Sequence, residues 1–348
     1  MTASDAAPSE TPAVHLDAAG GLPEPLPNVS PALSDVVGPT MGHSGDWVVS
    51  GVSPVVEVPF RHDETLDVDG FARIVNHVLS TGVGSVMFPG FASEMLKLSD
   101  SERSVLTSEL LRQTRGTGTA AIISVPDHAT QVAVRRAVDA VEAGADIINL
   151  LPPHQLGPST VAVISHLSTV LAAVAPTPVV LQYAPAQTGT SLTVQAIGDL
   201  AERHENLACV KVESAPPGRF IEALTRLPRP LPSLVGYAGL QLPDALRRGA
   251  VGVQPGCSFT ELYQRFWTLW SCGATLEAGS LHQRMLPFLS YWMQHVELIV
   301  AAEKRISMLR GLIDTDVCRA PGWALDDVER GLVDAFLREF EAELPAVS

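Results

Sequence analysis

Residues 178–214, PVVLQYAPAQTGTSLTVQAIGDLAERHENLACVKVES, read in turn as strand, loop, helix and strand. The runs 178–183 and 207–213 are apolar almost throughout, the pattern of strands buried on both faces of a parallel sheet. Between them, 193–203 spaces its apolar residues as one face of a helix. The same unit recurs outward in both directions. Further strand candidates are 52–58, 84–89, 119–125, 146–151, 231–237 and 250–254. Helical patterns fill 67–80, 99–114, 129–143, 159–174, 217–226, 241–248 and 259–272. Eight strand-then-helix units in about 220 residues predict an α/β chain folded as a closed (β/α)8 TIM barrel, not an open doubly wound sheet. No GxGxxG follows the first strand, which disfavours a dinucleotide-binding fold. Beyond the eighth unit, 276–311 and 325–343 read as a C-terminal helical extension packed on the barrel.

Composition bounds the function. Of 348 residues, 46% are hydrophobic and 18% charged, enough for a large core. The longest apolar runs are near eight residues, short of the roughly 20 of a membrane helix, so no membrane partner is expected. The net charge of −15 and the lack of a Lys/Arg stripe argue against nucleic acid. Cys209, Cys257, Cys272 and Cys318 form no CxxC pair and read as reduced thiols of a cytoplasmic protein. Residues 1–50 stand apart, with seven prolines, six acids and no Lys or Arg. They read as an acidic, Pro-rich, disordered tail rather than a secretory signal or transit peptide. The expected division is a tail over 1–50, a barrel over 51–275 and C-terminal helices over 276–348.

Arginine outnumbers lysine 20 to three, so Lys97, Lys211 and Lys304 each invite a reason. Arg cannot replace Lys where chemistry needs a deprotonatable amine. Alternation in LACVKVES sets Cys209, Lys211 and Glu213 on one strand face, directed into the barrel near its C-terminal end. Burial disfavours a charged amine, and a neutral amine in a dry pocket attacks a ketone to form a Schiff base. The plainer alternatives are a snorkelling lysine or one paired with Glu213. Lys97, before a helix cap, reads as solvated, and Lys304 as helix surface or an ion pair.

The turn Gly90-Phe91-Ala92-Ser93-Glu94 follows the second strand and precedes a capping-box helix start at Ser99 and Glu102. Its backbone N–H groups suit a carboxylate, although most such turns are only turns. Gln182 and Tyr183 end the fifth strand, beside Lys211, and regular alternation lets only one of them face inward. Tyr183 reaches the site if the strand bulges or ends early; otherwise Gln182 does, and a phenol must come from another loop or subunit. His154, after the fourth strand, and Gln254, ending the eighth, complete the substrate-binding candidates. The ten histidines form no metal-spaced cluster, so no metal is expected.

These motifs together resemble the dihydrodipicolinate synthase/N-acetylneuraminate lyase family over about residues 52–320. The matching pieces are Val58-Pro59-Phe60 with Asp67, Gly90 through Glu94 with Leu98 and Glu102-Arg103, Pro185 with Thr188-Gly189, Val210-Lys211, Gly249 through Gly252, and Arg319 with Pro321. The resemblance implies a barrel enzyme with C-terminal helices, a homotetramer or homodimer, free of cofactor. Its Schiff-base lysine falls on Lys211 and its 2-oxo acid carboxylate pocket on the Gly90–Glu94 turn.

The departures redirect the expected chemistry. Phe91 and Ala92 stand where the synthases carry two threonines, the first of which relays protons. Gln182 aligns with the family's strand-five tyrosine. Gln187 replaces an arginine that faces the second substrate, and His154-Gln155 replaces an aromatic pair. The expected function is therefore a class I, metal-free lyase, aldolase or dehydratase rather than a lysine-biosynthetic synthase. Lys211 would condense with pyruvate or a longer 2-oxo acid, and a second carbonyl compound is the expected partner. Backbone amides near Ala92 and Ser93 would hold the carboxylate. Tyr183, or water held by Gln182 or His154, would carry protons. The alternative is a degenerate barrel that binds a metabolite or partner without turnover.

Overall fold

The computed structural model describes residues 49–153 and 157–347. The tail through residue 48 and His154 therefore lie outside the described residues. Eight parallel strands alternate with helices: β1 Gly51–Val52, α1 Val68–Ser80, β2 Ser85–Phe88, α2 Asp100–Thr114, β3 Ala120–Val125, α3 Thr130–Ala143, β4 Ile147–Leu150 and α4 Thr160–Val174. Then come β5 Val179–Tyr183, a single turn α5 Pro185–Thr188, α6 Val194–Arg203, β6 Leu207–Val212, α7 Gly218–Thr225, β7 Ser233–Val235, α8 Leu242–Arg247, β8 Gly252–Val253 and α9 Thr260–Ser271. The sheet order β1-β8-β7-β6-β5-β4-β3-β2 is the expected TIM barrel.

The first strand is shorter than 52–58. Pro54 has no N–H to give, so the regular ladder ends at Val52. Closure is completed by Val55, which bridges to both Met87 and Gly256, and by Val56 N–H donating to Met87 O at 2.9 Å.

Strand alternation sorts the buried side chains into two layers. Ile122, Ile147, Val180, Cys209 and Leu234 fill the barrel axis, while Ile123, Ile148, Leu181, Val210 and Val235 pack against the helices. Helix starts follow their caps. Asp67 accepts from Gly70 N–H at 3.0 Å, and Ser99 with Glu102 forms the expected capping box at α2.

The C-terminal extension is three helices: α10 Thr275–Trp292, α11 Val296–Leu309 and α12 Asp327–Glu339. The helical stretch expected over 276–311 divides at His295, whose Nδ1 accepts from Glu297 N–H at 3.1 Å. Phe259 of the β8–α9 loop, Phe288 and Trp292 of α10 and Phe336 of α12 form an aromatic cluster tying the extension to the barrel. Among the described residues no helix is long and apolar enough to cross a membrane.

Candidate active site

Lys211 is placed by the strand it ends. Leu207, Val210 and Val212 of β6 face the helices, so Cys209 and Lys211 face the axis. The register with β5 slips by one at Ala208, pairing Val179 with Leu207 and Val180 with Cys209. That bulge sets Gln182 directly opposite Lys211, and both are buried.

A chain of side-chain bonds crosses the barrel there. Lys211 Nζ lies 3.3 Å from Glu213 Oε1. Gln182 Nε2 donates to Glu213 Oε2 at 2.6 Å, and Asn149 Nδ2 donates to Gln182 Oε1 at 2.9 Å and to Ser124 Oγ at 2.8 Å. The pairing with Glu213 that the plainer reading anticipated is real, and it holds the amine at the barrel mouth. Gly236 makes room for it, because a Cβ at that position would overlap the Glu213 side chain. Cys209 lies below, its thiol pushed up to about 12 by burial.

A cavity of about 70 Å³ opens above Lys211 and Glu213, lined also by Phe91, Ala92, Gln187, Tyr237, Gln254 and Glu303. Phe91, Ala92, Gln254 and Lys211 thus meet as the sequence led one to expect. Gln254 Nε2 donates to Ser53 Oγ at 3.1 Å.

Four expectations are corrected. Tyr183 pairs in register with Val212 and faces outward, stacked on Phe220 with centroids 4.4 Å apart at 14°. With the ladder regular at that point, it cannot share the inner face with Gln182. Ser93 is fully buried and staples the turn from beneath, accepting from Gly90 N–H at 3.0 Å and donating to Val56 O. Its own N–H is used by Gly90 O, which leaves Ala92 N–H, in the first turn of a short helix, without an intrahelical acceptor. Gly90 packs against Val55 and Met87 and shapes the turn instead of lining the cavity. Lys97 is not solvated: its Nζ lies 2.9 Å from Glu94 and 2.6 Å from Glu297.

Lys304 is the buried ion pair of its two readings. Its Nζ bonds Glu94 Oε1 and Val317 O and lies 4.3 Å from the Phe60 ring centroid. Glu94, at φ +51°, also accepts from Arg319 N–H at 3.0 Å. It is a structural anchor beneath the turn.

Two pocket groups escaped the sequence reading. Tyr237 follows β7 in the left-handed region, at φ +50°, and its Oη donates to Gln187 Oε1 at 3.1 Å. Burial pushes the phenol up, the Gln187 bond pulls it partly back, and the Glu213 charge raises it again. Its signal was Gly236-Tyr237-Ala238-Gly239, a tyrosine between glycines at a strand end. Glu303 comes from α11, in a segment whose helical periodicity carries no mark of a site.

A parallel barrel with a buried lysine and a phenol at the C-terminal strand ends defines a barrel enzyme with its site in the usual place. The chain belongs to the Dihydrodipicolinate synthetase family, whose model matches residues 48–339. It is 25% identical over 287 residues to a 4-hydroxy-tetrahydrodipicolinate synthase of Prosthecochloris aestuarii, covering 82% of this chain and 95% of that one. It is 25% identical over 276 residues to an L-2-keto-3-deoxyarabonate dehydratase of Azospirillum brasilense, covering 78% and 88%. Among solved structures, a prophage protein of the same family from E. coli K12, crystallised with pyruvate, superposes with a TM-score of 0.76 at 22% identity, covering 84% and 98%. Synthase and dehydratase are both lyase-type activities, and the chain is a lyase-type member of this family.

Proposed function

We propose that the protein is a class I lyase in which Lys211 forms an imine with pyruvate or a longer 2-oxo acid and works through the derived enamine. The observation that carries this is Lys211 itself, buried on the inner face at the end of β6, at the floor of a cavity shared with Glu213 and Tyr237. The Lys211 amine bonds to the ketone carbon, and the ketone oxygen leaves as water after protonation. Tyr237 is the donor best placed to supply that proton, and Glu213 orients the amine. The protonated imine then acidifies the adjacent carbon, whose proton passes to the Tyr237 phenolate left by the first step, giving the enamine from which C–C bonds form or break or water is eliminated.

The Ala92 amide and the Phe91 wall are assigned to the 2-oxo acid carboxylate end, with Gln254 beside them. Gln187, neutral where the family's synthases carry a cation, favours a second carbonyl substrate without a carboxylate at that point. The reading needs no cofactor. It places the protein in the cytoplasm, in keeping with four free cysteines, and expects a homotetramer or homodimer.

Borohydride reduction with pyruvate and several longer 2-oxo acids, followed by intact mass and peptide mapping, tests the reading. A reduced adduct on Lys211, absent from Lys211→Ala, is expected. No adduct with any of these acids overturns the enzyme reading, and an adduct on Lys97 or Lys304 overturns the assignment to Lys211.

A further inference from the structure

The cavity has a second wall, built by α11 and the loop after β8, and it holds a carboxyl group that imine formation does not use. Glu303 lines the cavity yet is only 4% exposed. Its carboxylate lies against Gly256, where a Cβ would overlap it. Ser258 Oγ donates to Glu303 Oε2 at 3.2 Å. Among the described residues no cation pairs with it. The two nearby cations are committed elsewhere: Lys304 to Glu94 and Val317 O, and Arg310 to Glu261 and Ser258 O.

Its acidic neighbour is Glu57, fully buried after β1, neither of whose oxygens accepts a well-formed hydrogen bond among the described residues. Cys257, Tyr263 of α9, Ser307 of α11 and the Glu94 carboxylate, whose charge raises Glu57 further, also act on the pair. A buried carboxyl with no cation is costly as a structural element, and it persists where chemistry uses it.

Resting on the Schiff-base reading, we propose that Glu303 is a catalytic residue: the acid that holds and moves the proton at the oxygen on the fourth carbon of the substrate. In elimination, the enamine electrons form the C3–C4 double bond and the C4–O bond breaks. The departing oxygen takes the Glu303 proton and leaves as water, and Lys211 is left holding a conjugated iminium. In addition to a second carbonyl compound, the enamine carbon bonds to the carbonyl carbon. The carbonyl π bond breaks, and its oxygen takes the same proton. Either way Glu303 ends as a carboxylate and regains the proton that hydrolysis of the iminium releases.

The protonation states agree with this role. Burial, then the Glu57 charge, pushes Glu303 up to about 8, while burial, opposed by Ser307, Lys304 and Arg310, pushes Glu57 up to about 6. Burial favours the protonated form of both carboxyls, and the Glu57 charge favours it further in Glu303, the member facing the cavity. A neutral acid there accommodates a hydroxyl or carbonyl oxygen and repels no neutral substrate.

Glu303→Gln keeps the shape of the protonated acid and cannot transfer its proton. Two readouts separate the steps. Borohydride trapping and deuterium exchange of the pyruvate methyl in D2O report imine and enamine. Turnover of 4-hydroxy-2-oxopentanoate and of a polyhydroxylated 3-deoxy-2-oxo acid reports the fourth-carbon oxygen. The variant is expected to lose about 10²–10⁴ in kcat on the hydroxylated probes while trapping and exchange persist. Unchanged turnover overturns the proposal. So does an equal loss in methyl exchange, or a wild type that exchanges pyruvate protons but acts on neither hydroxylated probe. A wild type that neither traps nor exchanges pyruvate or longer 2-oxo acids fails the Schiff-base reading itself. Glu57→Gln, outside the cavity, is expected to move the alkaline limb of kcat to lower pH with trapping intact, and an unmoved limb overturns the assignment of that limb to Glu303.

Discussion

Gln182 of β5 and Lys211 of β6 are register partners whose side chains both point to the barrel axis, joined through the Glu213 carboxylate. One consequence is that Tyr183, next along β5, is excluded from the cavity and belongs to the helix layer. Another is that the lysine does not stand alone. Its amine is held by an anion that Gln182 bonds, with Asn149 bonding Gln182 in turn, so the inner polar layer acts as a positioning device for Nζ.

Proton transfer should therefore follow Tyr237 and not Tyr183. Tyr183→Phe keeps the stacked ring on Phe220 and is expected to leave kcat unchanged. Tyr237→Phe is expected to lower kcat by about 10²–10⁴ with Lys211 still the modified residue. Steady-state rates of the two variants on one hydroxylated 2-oxo acid check this. Equal rates in both would remove Tyr237 from the mechanism.

Gly236→Ala forces a methyl into the space of the Glu213 side chain. The expected result is a cost of about 1–3 kcal/mol from overpacking, together with slower imine formation as Nζ loses its partner. Urea unfolding and the rate of borohydride trapping measure the two effects. Trapping at the wild-type rate would show that Glu213 does not position the amine.

The Lys304–Glu94 pair, both side chains fully buried, joins α11 to the turn after β2 across 210 residues of sequence. Lys304→Met leaves Glu94 with Lys97 and Arg319 N–H only, and is expected to destabilise by about 3–5 kcal/mol. Adding Glu94→Gln removes the buried charge that has lost one of its two cations and should recover part of that loss. Chemical denaturation of the single and double variants tests it, and additive losses would contradict the pairing.

Stability should fall as the solution becomes alkaline. Glu57 and Glu303 are raised, to about 6 and about 8, so folding favours their protonated forms. Their contribution is complete below the ordinary glutamate value and is lost as pH rises through those two values. Glu261 behaves oppositely. Burial pushes it up, but hydrogen bonds from His77 and Arg310 outweigh that and hold it at about 2, so its contribution is lost only as pH falls toward that value. Thermal melts from pH 5 to 9 should show a declining Tm, flattened between about 6 and 8 in Glu303→Gln. A profile identical to wild type would show that Glu303 does not titrate on unfolding.

Much of the barrel was legible because its signals are local. Apolar runs buried on both faces, amphipathic helices between them and the Ser99–Glu102 box each need only a few neighbouring residues to be read. The same locality gave the inward face of Lys211, since alternation within LACVKV is a property of one strand. The choice between Gln182 and Tyr183 was not local, because it depends on how β5 registers against β6 and on the bulge at Ala208.

The sequence by itself determined the eightfold strand–helix order, the lysine at the end of the sixth strand, and the small-residue turn after the second. These are matters of period and residue type within short windows. Only the tertiary structure decided what surrounds the lysine. Closing the barrel brings Tyr237 from the loop after β7 and Glu303 from α11 to the cavity of Lys211, and it sets Glu57 against Glu303 and Lys304 against Glu94. Those pairings join residues up to 246 positions apart. No periodicity records them, because what selects them is the mutual burial of charges and phenols that only a closed fold can enforce.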